Sequence, residues 1–169
     1  VSLVLHNGYG LERAFRSAFF QVASLHTSCG FGTDDYNLWA PFTWVLFLYT
    51  MVAGGCTGST SGGVKLMRVV ILLRNVKNEF NRLMHPRAVL PVKVNGQAVS
   101  QNTLATVATF VILYLICVFV GWTLLVFMGL NLEDALGIVL SSMGNTGPGL
   151  GSFGPAFSWN ALPDAAKWV

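Results

Sequence analysis

Apolar residues recur at helical spacing at Leu11, Ala14, Phe15, Ala18, Phe19, Val22, Ala23 and Leu25, which predicts a helix of about 15 residues. At 1.5 Å per residue it spans roughly 22 Å, short of the roughly 30 Å hydrocarbon core of a bilayer, so it reads as a re-entrant helix. The stretch TSCGFGTDD follows at 27–35, with two glycines where a helix would place none. Residues 39–55 (WAPFTWVLFLYTMVAGG) carry no charge and open on Trp39 and Trp44, as an interfacial aromatic belt would. This short spanning segment runs into residues 54–63, where five of ten positions are glycine. A break at membrane depth is tolerated only where the freed backbone groups face protein or water. The helical pattern then resumes, with Lys65, Arg68, Arg74, Lys77 and Arg82 among a thick apolar stripe that leaves the bilayer along its interface.

Alternation around Val92, Val94 and the pair Asn95-Gly96 predicts a hairpin with a type I′ turn. Residues 104–130 hold 27 positions without a charge, enough for roughly 40 Å and therefore a tilted span. Asn131 is placed to cap a helix over 132–143 whose first turn carries Glu133 and Asp134, the favoured sign at the positive end of the helix dipole. That helix is again too short to span, ends in GNTGPGLG at 144–151, and gives way to a polar connector over 152–169. The fold class expected is an all-α membrane protein. Composition agrees, since 53% of the residues are hydrophobic and 10% charged against roughly a quarter charged in soluble domains. A free-standing soluble enzyme is excluded on that ground. Residues 1–10 read as a connector, and with no basic leader and no initial methionine a piece of a longer chain is expected.

Seven of the ten Lys and Arg residues lie between Lys65 and Lys93, with Glu79 the one acid among them. The positive-inside rule puts that side in the cytoplasm, so both glycine loops enter from outside, with Asp34 and Asp35 at their mouth. Cys29, Cys56 and Cys117 are isolated and give neither a disulfide nor a metal site. GSTSGGVK at 58–65 departs from a phosphate-binding loop, because Val64 stands before Lys65 and no Ser or Thr follows it.

A shift of 117 positions superposes Gly30-Phe31-Gly32 on Gly147-Pro148-Gly149, Ser24 on Ser141 and Ala18 on Ala135. The repeated unit is a short helix, a glycine loop and a spanning helix, the kind of internal repeat that builds ion pathways. Each short helix points its negative end at its loop, so a cation there needs no carboxylate. Loop carbonyls facing one axis can replace an ion's hydration shell.

These segments together carry a resemblance. SLHTSCGFGTDDY, GGCTGSTSGGVK, RLMHPRAVLPVKVNG and GNTGPGLG resemble the second half of members of the TrkH family, membrane subunits of the bacterial Trk potassium uptake system, within the TrkH, TrkG, KtrB and HKT superfamily. The resemblance implies four helix, pore-loop, helix units around one pore, of which this chain holds parts of the third and fourth. Residues 1–35 would then be the connector, pore helix and filter loop of the third unit, and 36–87 a broken spanning helix. Residues 88–103 would be a cytoplasmic hairpin and linker, 104–130 the first helix of the fourth unit, 131–151 its pore helix and filter loop, and 152–169 an outer connector. It implies an ion-binding filter at Thr27, Ser28, Cys29, Gly30 and Phe31 and at Asn145, Thr146, Gly147 and Pro148, with K⁺ at the Gly30 and Gly147 loops. A gating loop is implied at Gly54, Gly55, Gly58, Ser59, Thr60, Ser61, Gly62 and Gly63. The expected setting is the bacterial inner membrane, with surrounding lipid, a homodimer and a cytosolic nucleotide-binding TrkA-like regulatory subunit. No cofactor and no nucleic acid are expected.

Neither loop has a TVGYG-like run, which points to fewer ion sites than in a dedicated potassium channel. A cation symporter coupled to protons or sodium, or a non-transport assembly subunit, stands as the alternative. Lys65 and Arg68 are one turn apart on the cytoplasmic side, for contact with lipid headgroups or a regulatory subunit, or to restrain the gate. The orientation has a direct check in a full-length, cysteine-free background. Single cysteines at Lys77 and Lys93 should be protected from impermeant thiol reagents in intact cells, while one at Asp35 labels from outside.

Overall fold

The computed structural model describes residues 3, 7–85, 91–94 and 96–168. Its helices are α1 (Leu11–His26), α2 (Pro41–Ala53), α3 (Leu66–Met84), α4 (Gln101–Phe127) and α5 (Leu132–Gly144). A 3₁₀ turn at Tyr36–Leu38 precedes α2, and three more, at Gly151–Phe153, Trp159–Ala161 and Asp164–Trp168, follow α5. Between α3 and α4 a two-stranded antiparallel ribbon, β1 (Lys93–Val94) and β2 (Gln97–Ala98), pairs Lys93 with Ala98 and Val94 with Gln97. Gly96 in its turn has φ +82°; Asn95, and the linker residues 86–90 with Arg87, lie outside the described residues.

Local chemistry sets the element ends. Pro41 opens α2 at a position whose N–H would have no partner anyway. The Ser100 hydroxyl accepts the Thr103 N–H at 3.2 Å and starts α4 three residues before the expected span. Gly129, at φ +94°, closes it early: the Gly129 and Leu130 N–H groups bond back to Val126 and Leu125 in a Schellman turn. Asn131 occupies the N-cap of α5, but its side chain makes no capping bond and donates instead to Asp134 Oδ2 at 3.4 Å.

Burial runs opposite to that of a soluble bundle. On α1 the buried positions are Ala14, Ser17, Gln21, Ser24 and Leu25, while Leu11, Phe15 and Phe19 are exposed. The most apolar 18-residue window of the 27-residue α4 has a mean hydropathy of 2.7, and only 11% of it is buried. It is the one helix among the described residues long and apolar enough to cross a membrane. Patches of this extent are unstable against water and suit an apolar surround.

The exception is α5, buried nearly all round. Leu140 joins a cluster with Leu25, Tyr36, Trp39, Phe47, Met51 and Leu150, which ties α5 to α1 and α2. Ala135, Ile138 and Val139 join a second cluster with Leu125 of α4 and with Phe153, Leu162 and Ala166. Residues 152–168 are therefore more than a polar connector, since three of their apolar side chains pack into this second core. Gly137 permits the approach of the chain beyond α5, because a Cβ there would stand 2.7 Å from the Leu150 nitrogen.

A pair of side chains after α1 fastens the loop after α5. The Tyr36 hydroxyl, fully buried against the Phe47 ring, donates to the Gly149 carbonyl at 2.5 Å. Burial, with the Asp35 carboxylate adding to it, holds the phenol above its ordinary pKa, so it stays a donor. The Asn37 amide donates to the Gly151 carbonyl at 2.9 Å and accepts the Gly151 N–H at 3.2 Å. Tyr36→Phe in the full-length protein should lower stability by about 1–3 kcal/mol, the cost of a buried acceptor left unpaired. Thermal unfolding in detergent measures this, with Tyr49→Phe, exposed on α2, as the neutral control.

Candidate functional site

α1 and α5 end in the same turn. After α1 the Ser28 N–H bonds the Leu25 carbonyl at 3.3 Å and the Cys29 N–H bonds the Ser24 carbonyl at 2.9 Å. After α5 the Asn145 N–H bonds Ser142 at 3.2 Å and the Thr146 N–H bonds Ser141 at 2.9 Å. The 117-residue shift carries one pair of bonds onto the other. It also carries the left-handed Ser28 (φ +58°) onto Asn145 (φ +53°), and Gly30 (φ +76°) onto Gly147 (φ +100°). The repeat is thus one of backbone geometry as well as of sequence.

Past these turns the backbone keeps unspent acceptors. Among the described residues, no carbonyl of 27–31 or 145–148 accepts a hydrogen bond. Each set follows the negative end of a helix, so partly negative oxygens are presented without any carboxylate. Thr27, Cys29, Phe31, Asn145 and Gly147 are exposed, Ser28, Gly30 and Pro148 half-buried, and Thr146 buried. The two loops touch: a Cβ added at Gly30 would run into the Thr146 carbonyl oxygen and stand 3.2 Å from Pro148 Cδ. At Gly147 nothing lies within 4 Å of such a Cβ. Asp34 is tied back by the Ser17 hydroxyl and by Arg13 at 3.6 Å, and Asp35 caps the 3₁₀ turn by accepting the Asn37 N–H at 3.0 Å.

The segment joining α2 to α3 docks on the end of α5. Gly54 (φ +62°) and Gly63 (φ +80°) turn the chain at its two ends, and the Val64 N–H returns to the Val52 carbonyl at 2.9 Å. The Gly62 N–H donates to the Gly144 carbonyl at 3.1 Å. A Cβ on Gly62 would stand 2.6 Å from that carbonyl's carbon and oxygen, so only glycine allows the approach. Ser61 is buried between Gly55 and Ser28, whereas Gly58 and Thr60 are exposed and Ser59 half-buried.

Lys65 and Arg68 make contacts within the protein. The Lys65 ammonium donates to the Ser59 and Thr57 carbonyls at 2.9 and 3.2 Å, drawing the loop tip toward α3. The Arg68 guanidinium lies 4.0 Å above the Phe110 ring of α4 and donates to the Val64 carbonyl at 3.3 Å. Sequence reasoning did not single out Tyr36, Asn37 or the joint at Gly144. Their partners lie about eighty residues or more away, and no periodicity marks them.

Residues 6–169 match the TrkH family, described as cation transport protein. The chain is 38% identical over 168 residues to the Trk system potassium uptake protein TrkH of Vibrio parahaemolyticus, covering 99% of this chain and 34% of that protein. It is 37% identical over 165 residues to the Trk system potassium uptake protein TrkG of Escherichia coli, covering 97% of this chain and 34% of that one. The crystal structure of the potassium transporter TrkH from Vibrio parahaemolyticus superposes with a TM-score of 0.89 at 36% identity, over 99% of this chain and 36% of the other. The chain thus spans about a third of the length of these relatives. With the family match running through both short helices, both glycine loops and the segment docked on α5, the chain belongs to the TrkH family of membrane cation transport proteins.

Proposed function

We propose that this chain is the part of a Trk-type potassium uptake subunit that carries two filter loops and the gate, set in the bacterial inner membrane. The observation that carries the reading is the duplicated turn: two half-length helices, each followed by a left-handed residue and a run of carbonyls that accept no hydrogen bond among the described residues. Residues 27–31 and 145–148 supply oxygens to a partly dehydrated K⁺, the transported ion. Two loops do not surround an ion, so conduction needs further units of the same kind. The exposed faces of α1, α2 and α4 suit packing against them and against lipid. A second copy of the subunit and a cytosolic nucleotide-binding regulator complete the proposed assembly.

Gly147 is the sharper test of the filter. Its surroundings leave room for a side chain, whereas one at Gly30 would push the two loops apart. Gly147→Ser in the full-length protein should reach the membrane, grow poorly on low potassium and admit more Na⁺. Unchanged K⁺ over Na⁺ permeability and unchanged growth would remove this loop from the filter.

Residues 54–63 are proposed as the gate. Their tip is exposed, and they are held by a few hydrogen bonds that a regulator could offset with a few kcal/mol of differential binding. Deleting residues 57–60 keeps the Gly62 contact with α5 and removes the tip. Ion flux without the regulator should then rise; flux no faster than the parent's, in protein that folds and inserts, would make the segment structural.

A further inference from the structure

Ser28 stands in a conformation that suits glycine or asparagine better than serine, and its counterpart in the other unit is Asn145. What serine adds there is a hydroxyl between three segments. Ser28 Oγ lies 2.9 Å from the Gly144 carbonyl oxygen and 2.9 Å from Ser61 Oγ. A carbonyl only accepts, so the Ser28 proton goes to Gly144, and in the contact between the hydroxyls Ser61 is the donor, with the Gly62 carbonyl at 3.4 Å as its longer alternative. Ser61 Oγ then accepts the Gly55 N–H at 3.1 Å. The Gly62 N–H supplies the second donor to the same Gly144 oxygen at 3.1 Å. The result is a directional chain from Gly55 through Ser61 and Ser28 to Gly144, with each hydroxyl proton used once.

The last two members of this chain, Ser28 and Gly144, sit at the bases of the two glycine loops. Ser28 is the turn residue at the base of one glycine loop, two positions before Gly30. Gly144 is the last residue of α5, directly before Asn145 at the base of the other loop. Ser61 belongs to neither loop and is 4% exposed, so its hydroxyl has no role toward solvent. The corresponding position to Gly144 in the first unit, Thr27, turns its hydroxyl back to Ala23 within its own helix. The joint is therefore asymmetric and specific to this pair of units.

We propose that Ser61 is a positioning residue for selectivity: its hydroxyl, acting through Ser28 and the Gly144 carbonyl, fixes the bases of both glycine loops. This rests on the filter and gate reading above and extends it. The bonds that hold the segment in place are the same bonds that set the loop bases, so discrimination between ions depends on whether it is docked. By linkage, ion occupancy of the loops must in turn bias docking.

The test uses the full-length protein in planar bilayers, reading the K⁺ over Na⁺ permeability ratio from the bi-ionic reversal potential. Ser61→Ala should lower that ratio roughly fivefold, the factor equivalent to about 1 kcal/mol for one net hydrogen bond. Ser61→Thr, which keeps the hydroxyl, should stay near the parent. Ser28→Ala should give a similar loss, and the double variant should be no worse than either single one, as expected for groups acting in series. If Gly147→Ser shifts the ratio and Ser61→Ala does not, the positioning role fails while the filter stands. If Gly147→Ser shifts nothing either, the filter reading itself has failed. Should Ser61→Ala not insert, Ser28→Ala with a parent-like ratio overturns the proposal on its own.

Discussion

A helix that ends among apolar side chains must find partners for its last carbonyls, because those side chains supply no donors. α1 and α5 both meet this constraint, and much of the molecule follows from how they do so. Each turns through a left-handed residue and spends two N–H groups backwards on the helix. What is left for the next few residues is carbonyl oxygen without donors. An end that is satisfied by its own chain thereby leaves a run just beyond whose carbonyls accept no hydrogen bond among the described residues, and the proposed filter rests on that run.

The same constraint explains why α5 is the most enclosed element. Its last carbonyl, at Gly144, draws donors from Ser28 and from Gly62, which belong to two other segments. Its first turn is likewise engaged, with Asp134 accepting the Ser152 N–H at 2.8 Å. Bridging a helix at both ends requires small residues where backbones meet, and Gly62, Gly137 and Gly144 stand at those contacts. By contrast the backbone of α4 is satisfied along its own helix, and most of its Leu, Ile and Phe side chains face outward, while Leu125 and the Trp122 N–H, which donates to the Leu132 carbonyl at 3.1 Å, tie it to α5.

Periodicity and length were enough to expect both short helices, the break after α2, the hairpin and the long span, because those features depend on local spacing. Ends shifted where a cap outvoted the apolar pattern, as at Ser100 and Gly129. The 117-residue repeat was readable as glycines in register, and its reality as matched hydrogen bonds was not. Residues 152–168 looked polar because Phe153, Leu162 and Ala166 are spaced too irregularly for any one period, although each is buried. Lys65 and Arg68 were readable as basic residues near a loop. Their partners, the Ser59 carbonyl and the Phe110 ring, were not, since neither carbonyl direction nor a ring about forty residues away leaves a trace in composition.

The division of labour among glycines carries the last step. Gly62 and Gly30 are glycine because another backbone occupies the space where a Cβ would be, so their role is contact. Gly147 shares the left-handed backbone of Gly30, but a Cβ there would meet nothing within 4 Å, so packing does not account for it. A left-handed residue beside open space costs a side chain only its conformational strain, roughly 1–2 kcal/mol. That leaves two demands on the position: a backbone angle that turns its carbonyl, and a surface kept free of side chain. Both demands match the proposed filter, whose wall at this position would be main chain, better than they match packing.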